Sequence, residues 1–434
     1  MSSAAPADRY HALDSLRGFA MFLGVVLHAG ISFMTLPPNF WPVRDNDPTP
    51  LADVFLLAVH DFRMQTFFLL AGFFGCLLYQ KYGLAGMTKH RLKRVGIPFV
   101  LGLLLIVPTV QAAGVYCEVE NIRSPEPVRG EVSPLRPYVQ ELIDANPEAS
   151  PAGIVADFFA SGQWLVRLPF VHLWFLYYLL WFVVAVVILT PVFGRLTGTT
   201  LLAKIDAAFR WVVESRWRVL VPALLTFPLM LPMRWVADTP TRWGPQWHIL
   251  GYYFAFFGFG WMLYRHRDLV ATFGHWWGPN LILANVVVLP VMLGLIVTGA
   301  TMERDGTDAF AWQLGGFAAG VLYTWMMITG LWGAFLRLFA REYAWVRYMA
   351  DSAYWCYLAS ITPIVIFQFV VKDWPLPGLL KAALVTAATM AVLLASYEWF
   401  VRYTFIGAIL NGPKQRKRPE PARPAAPAEQ PVRV

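Results

Sequence analysis

The sequence LDSLRGFAMFLGVVLHAGISFMTL, from Leu13 to Leu36, decides the fold class of this chain. It is long and apolar enough to cross a lipid bilayer, yet it carries Arg17 and His28. A charged side chain in hydrocarbon costs about 2.5 kcal/mol or more, so an ionisable residue within a span indicates a functional site. On an α-helix, eleven residues correspond to a rise of about 16 Å along the axis. The direction of the second side chain then differs from that of the first by roughly 20°. We therefore expect both side chains on one helix face, with Arg17 near an interface and His28 near mid-membrane.

The composition of the whole chain indicates a membrane protein that crosses the bilayer several times. Of the 434 residues, 57% are hydrophobic and 14% are charged, whereas a soluble domain has about 25% charged residues. The net charge of +8 lies largely in short loops and in the C-terminal tail, which argues for membrane topology and against nucleic-acid binding. No CxxC pair and no histidines at metal-ligand spacing occur, so we expect neither a disulfide framework nor a metal site.

Ten apolar stretches are each long enough to span a bilayer. They are 13–36, 58–80, 96–116, 171–193, 218–236, 248–264, 278–299, 310–336, 352–371 and 378–400. An even number places both termini on one side, and the basic residues within 81–94, 195–218 and 414–418 make that side the cytoplasm by the positive-inside rule. We predict an all-α polytopic membrane protein with about ten transmembrane helices and both termini inside (N-in/C-in).

The chain divides into two parts by composition. Residues 1–412 form one integral membrane domain, whose largest extramembrane piece is an acidic outer loop over 117–170. Residues 413–434 are rich in Pro, Ala and Arg, and we predict a disordered cytoplasmic tail. No signal peptide is expected, because the first apolar run is too long for one and begins with charged residues.

Further ionisable residues lie at the outer ends of two predicted spans. His60 and Arg63, at positions i and i+3, share one helix face. This face either holds a polar substrate, or Arg63 forms an ion pair with Asp61 or an outer-loop carboxylate. His172 and Trp174 begin the fourth span, where His172 is either a site residue or an interfacial anchor.

The predicted inner loop contains a pair of arginines, Arg91 and Arg94, also spaced i and i+3. Two guanidinium groups at this spacing suit phosphates, although basic residues beside a span are also ordinary topology signals. With Arg17, three arginines are expected at one cytoplasmic opening. His28 is the only histidine deep in a predicted span and is therefore the candidate for proton transfer. Glu398 and Arg402, four residues apart, are predicted to form a structural ion pair.

Several motifs together resemble a known family. Arg17–His28 matches the Arg-x10-His signature of the acyltransferase family 3 integral membrane proteins, and Arg91-x-x-Arg94 matches their cytoplasmic RxxR motif. The strings LDSLRGF at 13–19, HDFRMQTFFLLAGFF at 60–74, RLKRVGIP at 91–98 and HLWFL at 172–176 resemble the branch of this family that is concerned with osmoregulated periplasmic glucans. This resemblance extends over nearly all of the chain.

The resemblance implies a multi-pass acyltransferase of the bacterial inner membrane. Its co-substrate is acyl-CoA, expected to be succinyl-CoA, with no permanently bound cofactor, and its acceptor is a periplasmic glucan. On this reading Arg17, Arg91 and Arg94 bind the CoA phosphates, and His28 with Arg17 performs catalysis, His28 being either the general base or a transient acyl carrier. His60, Arg63, His172 and Trp174 are the acceptor-side candidates, and other glucan-biosynthesis proteins are possible partners.

The chain departs from the family at one position, and other functions stay open. Relatives often have a histidine after a Tyr-Leu pair in the penultimate helix, where this chain has Tyr357-Leu358-Ala359-Ser360. Either that histidine is dispensable or the acceptor differs. The alternatives are an O-acetyltransferase of another surface polysaccharide and a secondary transporter of an anionic metabolite or lipid-linked sugar.

Overall fold

The computed structural model describes residues 10–35, 38, 40–125, 133–166, 170–240, 243–341 and 343–414. The protein is 80% helical, and the described residues contain no strand. Its α-helices, in chain order, are α1 His11–Gly30, α2 Pro50–Arg91, α3 Ile97–Leu101, α4 Val107–Arg123, α5 Arg136–Ala145, α6 Pro151–Ala160, α7 Gln163–Val166, α8 Trp174–Arg195, α9 Thr200–Glu214, α10 Leu220–Met230, α11 Trp247–Arg265, α12 Val270–Phe273, α13 Trp277–Leu283, α14 Leu289–Arg304, α15 Phe310–Leu338, α16 Ala344–Ala359, α17 Ile361–Val371, α18 Gly378–Ser396 and α19 Phe405–Leu410. Short 3-10 turns at Ile31–Phe33, Val171–Leu173 and Arg267–Leu269, and π-helical turns at Leu92–Gly96, Gly102–Ile106, Ala284–Val288 and Tyr397–Val401, join several of them.

These helices confirm an all-α polytopic membrane protein. Within the described residues, six helical segments are long and apolar enough to cross a membrane, and the bent pair of α16 and α17 makes a seventh. One of the six, Pro50–Arg123, contains two of the ten predicted stretches. Each predicted stretch contains helix, but α10 has only 11 residues before the chain unwinds near Pro232. The count of about ten crossings and the N-in/C-in orientation stay predictions.

The RxxR motif, which lies in the predicted inner loop, is helical, as the i and i+3 spacing of its arginines favours. Residues Pro50–Arg91 are continuously helical except at Gly83, whose φ of 69° is in the left-handed region. The Arg91 guanidinium nevertheless donates to the carbonyl of Ala71, at 3.1 Å. Twenty residues of straight helix would separate these two positions by about 30 Å. The chain therefore folds back at Gly83, and this reversal is the turn between the second and third predicted stretches.

The predicted outer loop over 117–170 contains helices. Helix α4 continues through it to Arg123, and α5, α6 and α7 follow. Buried apolar side chains of α4, α5 and α6 form a small cluster of their own: Val115, Val119, Val139, Ile143, Ile154 and Phe158. Segments 126–132 and 167–169 of this loop lie outside the described residues, as does most of the predicted tail, 415–434.

The main core is aromatic and is centred on Phe68 of α2. The Phe68 ring is fully buried, and the centroids of the Phe175, Phe182 and Tyr253 rings lie 4.9, 5.1 and 4.8 Å from its own. These contacts join α2 to α8 and α11. Aromatic pairs at such distances stabilise packing by about 0.5–1.5 kcal/mol beyond the burial of their area. They fix α2, which carries the candidate site residues His60, Arg63 and Arg91.

Candidate active site

Helix α1 carries both Arg17 and His28, and the depth of His28 in the membrane stays a prediction. His28 lies in the last α-helical turn and not at the middle, because α1 begins at His11 and its regular hydrogen bonding ends at Gly30. The apolar residues after Gly30 continue only as a 3-10 turn before the extended Met34. The site is therefore near the C-terminal end of α1. Arg17 pairs with Asp14, three residues earlier on α1, with 3.1 Å between guanidinium Nη2 and carboxylate Oδ1.

A cavity of about 350 Å³ lies at the N-terminal end of α1. We call it the arginine cavity, because its lining includes the three predicted residues Arg17, Arg91 and Arg94 together with Arg341 and Arg347. His11, His90 and Tyr354 also line it. Arg341 and Arg347 could not be predicted from the sequence, because both stand outside the apolar stretches, where a basic residue indicates only membrane topology.

Backbone contacts hold Arg91 and Arg94 at this cavity. Arg91 donates to Ala71 as described, Arg94 donates to the carbonyl of Leu410 at 3.2 Å, and the Tyr354 hydroxyl donates to the Arg94 carbonyl at 2.7 Å. No carboxylate of the described residues lies within 4.0 Å of either guanidinium. Arg17 is paired with Asp14, whereas Arg91 and Arg94 have no described carboxylate within 4.0 Å, and two such guanidinium groups at one cavity suit a phosphate-bearing ligand.

A second group, which we call the histidine cluster, consists of His28, His60, Arg63 and His172. The Arg63 guanidinium is close enough to all three imidazoles to interact with them electrostatically. It packs directly on α1 at Gly24, where a Cβ atom would lie only 1.8 Å from Arg63 Nη1. Gly24 lies one helical turn before His28. Because helical side chains lean toward the N-terminus, the His28 ring points toward the place where the Arg63 guanidinium contacts α1. The sequence predicted these four residues separately, and the fold brings them together.

Buried polar atoms of this cluster have no hydrogen-bond partner among the described residues. They are Nδ1 of His28, Nε of Arg63 and Nδ1 of His172. Nearly all buried polar groups in proteins are paired, so a concentration of unpaired ones indicates a place for water or a ligand. The ion pair of Arg63 with Asp61 or a loop carboxylate, the alternative reading, is not formed by any described residue.

His172 is held at a break in the helix that carries Ser360. Pro363 has no N–H to bond the Ala359 carbonyl and its ring would clash with it, so α16 ends at Ala359 and α17 starts at an angle of 70°. The His172 Nε2 atom lies 2.9 Å from the Leu358 carbonyl, one residue before the carbonyl that Pro363 leaves unbonded, and the Tyr357 hydroxyl donates to the His172 carbonyl at 2.6 Å. Because a carbonyl only accepts, Nε2 of His172 carries a proton. His172 therefore stands beside the segment from Tyr357 to Ser360, where the family resemblance leads us to expect a histidine that this chain lacks.

The remaining predicted residues are placed differently. His60 contacts the Ala237 carbonyl through Nε2 at 2.8 Å and keeps its place at the cluster. Trp174 is buried in the aromatic core, where its ring centroid lies 5.4 Å from that of Tyr253 and 6.1 Å from that of Phe68. Its packing accounts for its burial, and its role as a ligand residue stays a prediction. Glu398 and Arg402 form the predicted structural pair, at 2.8 Å.

Gln368 of α17 is a site residue that the sequence analysis missed. Its amide nitrogen donates to the carbonyls of His28 and Ala29, both at 3.0 Å, and its oxygen accepts from Trp41 Nε1 at 2.9 Å. The Trp41 ring in turn stacks on His28, with 6.0 Å between centroids. Gln368 is the only polar side chain in residues 364–371. Because a polar residue within an apolar span indicates a functional site, the criterion that identified His28 could also have identified Gln368.

The segment before α2 closes this end of α1. Asp45 forms a fully buried ion pair with Lys381, 2.6 Å apart, and its amide donates to the Ser32 carbonyl at 3.0 Å. Burial raises the pKa of the Asp45 carboxyl, against the opposing effects of the Lys381 ammonium and the Asp47 amide. The pair anchors the segment that positions Trp41 over His28.

The two groups are separated by one helical turn. The lining of the arginine cavity ends at Met21 on α1 and begins at Phe67 on α2. Met21 is three residues before Gly24, and Phe67 is four residues after Arg63, a rise of about 6 Å or less. A single site thus has a cationic cavity at one end and an imidazole cluster at the other. The described residues hold no group of three potential metal ligands, and the expectation of a metal-free site stays a prediction.

Comparison with known proteins assigns this arrangement to a family. Residues 10–119 and 150–398 match the acyltransferase domain of acyltransferase family 3, and the chain belongs to this family, which confirms the resemblance seen in its motifs. Glucans biosynthesis protein C of Escherichia coli is 36% identical over 101 residues, which are 23% of this chain and 26% of that protein. The protein of the same name from Salmonella paratyphi B is 36% identical over 104 residues, 24% of this chain and 26% of its own length. The aligned part therefore spans about a quarter of these relatives. No solved structure matches the chain significantly.

Proposed function

We propose that this protein transfers an acyl group, expected to be succinyl, from cytoplasmic acyl-CoA to hydroxyl groups of a periplasmic glucan in the bacterial inner membrane. The observation that carries the proposal is the alignment of the arginine cavity and the histidine cluster along α1. The family supports acyl transfer, and the names of the relatives support glucan as the acceptor. Other glucan-biosynthesis proteins are expected to supply that acceptor.

The donor enters at the arginine cavity. Arg17, Arg91 and Arg94 bind the phosphates of CoA, since guanidinium groups bind phosphate oxygens through paired hydrogen bonds. The extended pantetheine arm then follows α1 for the rise of about 16 Å between Arg17 and His28. This places the thioester at the histidine cluster. Acyl-CoA is a co-substrate that leaves as CoA, so no cofactor stays bound.

His28 acts as the general base on the acceptor. Its imidazole takes the proton of a sugar hydroxyl while the hydroxyl oxygen attacks the thioester carbonyl carbon. A carbon–oxygen bond forms, the carbon–sulfur bond breaks, and the CoA thiolate takes up the proton from His28. The products are the glucan ester and CoA, with no net proton released. His60, His172 and Trp174 are the acceptor-side residues of this proposal, at the end of α1 away from the CoA cavity.

Mass spectrometry of periplasmic glucans from cells with and without this gene tests the proposal. We expect glucans bearing succinyl groups only in cells that carry the gene. In the same assay, His28→Ala lowers substitution by at least about 10²-fold, the usual value of general-base assistance, with normal amounts of protein in the membrane. The exposed His275→Ala serves as a matched control and leaves substitution unchanged.

Three outcomes contradict parts of this proposal. Near-normal substitution by His28→Ala removes His28 from catalysis. Acetylated glucans, or another acetylated polysaccharide, indicate the O-acetyltransferase. Glucans that do not depend on the gene, together with export of an unmodified metabolite that does, indicate the transporter.

A further inference from the structure

The Arg63 guanidinium is buried in the membrane-spanning bundle without an anionic partner. Arg63 is 9% exposed, its Nε has no hydrogen-bond partner, and no described carboxylate lies within 4.0 Å of its nitrogens. Its electrostatic neighbours are the imidazoles of the cluster and the phenols of Tyr253 and Tyr357. A buried charge is normally paired, because removing it from water costs several kcal/mol. The sequence predicts a polar acceptor for Arg63, but these contacts favour an anion.

The nearest carboxylate in the sequence, Asp61, does not serve as that anion. Residues two apart on a helix project about 200° apart and do not face each other. The Asp61 carboxylate lies instead on the α15 side, where its Oδ2 would be 3.3 Å from a Cβ atom built on Gly320. The Thr324 hydroxyl donates to the Asp61 carbonyl there. Asp61 and Arg63 therefore form no ion pair, although the Tyr253 phenol interacts electrostatically with both.

The position of Arg63 relative to His28 limits the size of the missing anion. The guanidinium contacts α1 at Gly24, and His28 is four residues further along the same face, a rise of about 6 Å. A succinyl group measures roughly 4 Å across its four carbons, given bonds of about 1.5 Å. Its two ends can therefore be bound at Arg63 and at His28 together. A guanidinium fork matches a carboxylate in geometry as well as in charge.

We propose that Arg63 binds the free carboxylate of a dicarboxylic acyl group while His28 acts at the thioester carbonyl of the same group. This inference rests on the proposed acyl transfer and assigns its donor to one chemical class, the four-carbon dicarboxylic acyl-CoA. Donors without the carboxylate leave the buried guanidinium unpaired. Sites built to pair a polar group reject analogues that lack it by about 10²-fold or more.

A donor series with the purified full-length protein tests this inference. Succinyl-CoA, butyryl-CoA and acetyl-CoA are compared by CoA release that depends on added glucan. Butyryl-CoA has the same carbon count as succinyl-CoA but no carboxylate, so it isolates the charge. We expect the wild-type protein to prefer succinyl-CoA over butyryl-CoA by at least about 10²-fold in kcat/KM.

Variants of Arg63 then locate the cause of the preference. Arg63→Gln is expected to reduce the succinyl-to-butyryl ratio by at least about 10²-fold, and Arg63→Lys to restore part of it, because an ammonium keeps the charge but not the fork. The matched control is Arg218→Gln. Arg218 is also buried, but it donates to the carbonyls of Ser215 and Thr272, far from the cluster in sequence, and its loss is expected to leave the ratio unchanged.

The possible failures are distinguishable. A wild-type protein that uses butyryl-CoA as well as succinyl-CoA overturns the inference while leaving acyl transfer in place. If Arg63→Gln loses activity equally with every donor, Arg63 acts at the reacting carbonyl or in folding, and this result also overturns the inference. A wild-type protein that transfers no acyl group from any donor refutes the proposed function itself. The wild-type donor series does not depend on any variant folding.

Discussion

Gly24 is the residue that allows Arg63 to reach the end of α1 that carries His28. The close approach of the guanidinium leaves no volume for a side chain at position 24, since even a methyl group would overlap Nη1. Neither a helical pattern nor a hydrophobic pattern reveals this requirement, because glycine is common in membrane helices. The geometry of His28 and Arg63 therefore depends on a residue without a functional group.

Gly24→Ala is expected to displace Arg63 and to lower acyl transfer by about 10²-fold, since a shift near 1 Å at a reacting group has that effect. The measurement is glucan-dependent CoA release, with protein amount and thermal stability recorded in parallel. Gly251→Ala is the control, because nothing lies within 4 Å of a Cβ atom at that helical position. Equal activity of both variants would mean that the guanidinium is not held where the contact places it.

At the scale of elements, the reversal at Gly83 brings the two RxxR arginines back to α2. The Arg91 side chain reaches Ala71 only because the helix folds back there. The intervening residue Lys93 is exposed and does not line the arginine cavity. Arg91 and Arg94 therefore line the arginine cavity, whereas Lys93 points away from it.

Arg91→Ala and Arg94→Ala are expected to raise the KM for acyl-CoA by about 10- to 100-fold, the loss of one or two charge-assisted hydrogen bonds. The KM for glucan changes less, because the acceptor end of the site is distant. Lys93→Ala removes a charge from the same segment and is expected to leave both constants unchanged. If Lys93→Ala has the same effect as the arginine variants, the motif acts through general surface charge.

At the scale of the whole molecule, the direction of transfer depends on the orientation in the membrane. The native Cys76, Cys117 and Cys356 are all buried, so a cysteine introduced at an exposed position is expected to be the main reactive thiol. With the N-in/C-in orientation, a membrane-impermeant maleimide labels Glu141→Cys in intact spheroplasts. It labels Lys89→Cys only after lysis. The reverse pattern would place the arginine cavity outside, away from cytoplasmic acyl-CoA, and would contradict the proposed donor.

The sequence predicts the helices of this protein better than it predicts how those helices pack against one another. The apolar stretches and the Arg17–His28 spacing follow from hydropathy and helix period, which are local properties. The joining of His28, His60, Arg63 and His172 is not local, because it depends on how α1, α2 and α8 pack. The turn at Gly83 falls in the predicted inner loop, but the break before Pro363 was missed, because the hydropathy of its stretch is uninterrupted. Gln368 could have been found from its isolation among apolar residues.

The apolar turn between the arginine cavity and the histidine cluster has a bioenergetic consequence. A bacterial inner membrane stores energy as a proton gradient, and a continuous column of water through a protein would discharge it. Met21 and Phe67 stand where such a column would have to pass. An acyl chain can cross this layer between them, whereas hydrated ions cannot do so at low cost. Under the proposed function, the same layer also shields a thioester held at the histidine cluster from cytoplasmic water, so donor and acceptor could enter from opposite surfaces without a leak of protons.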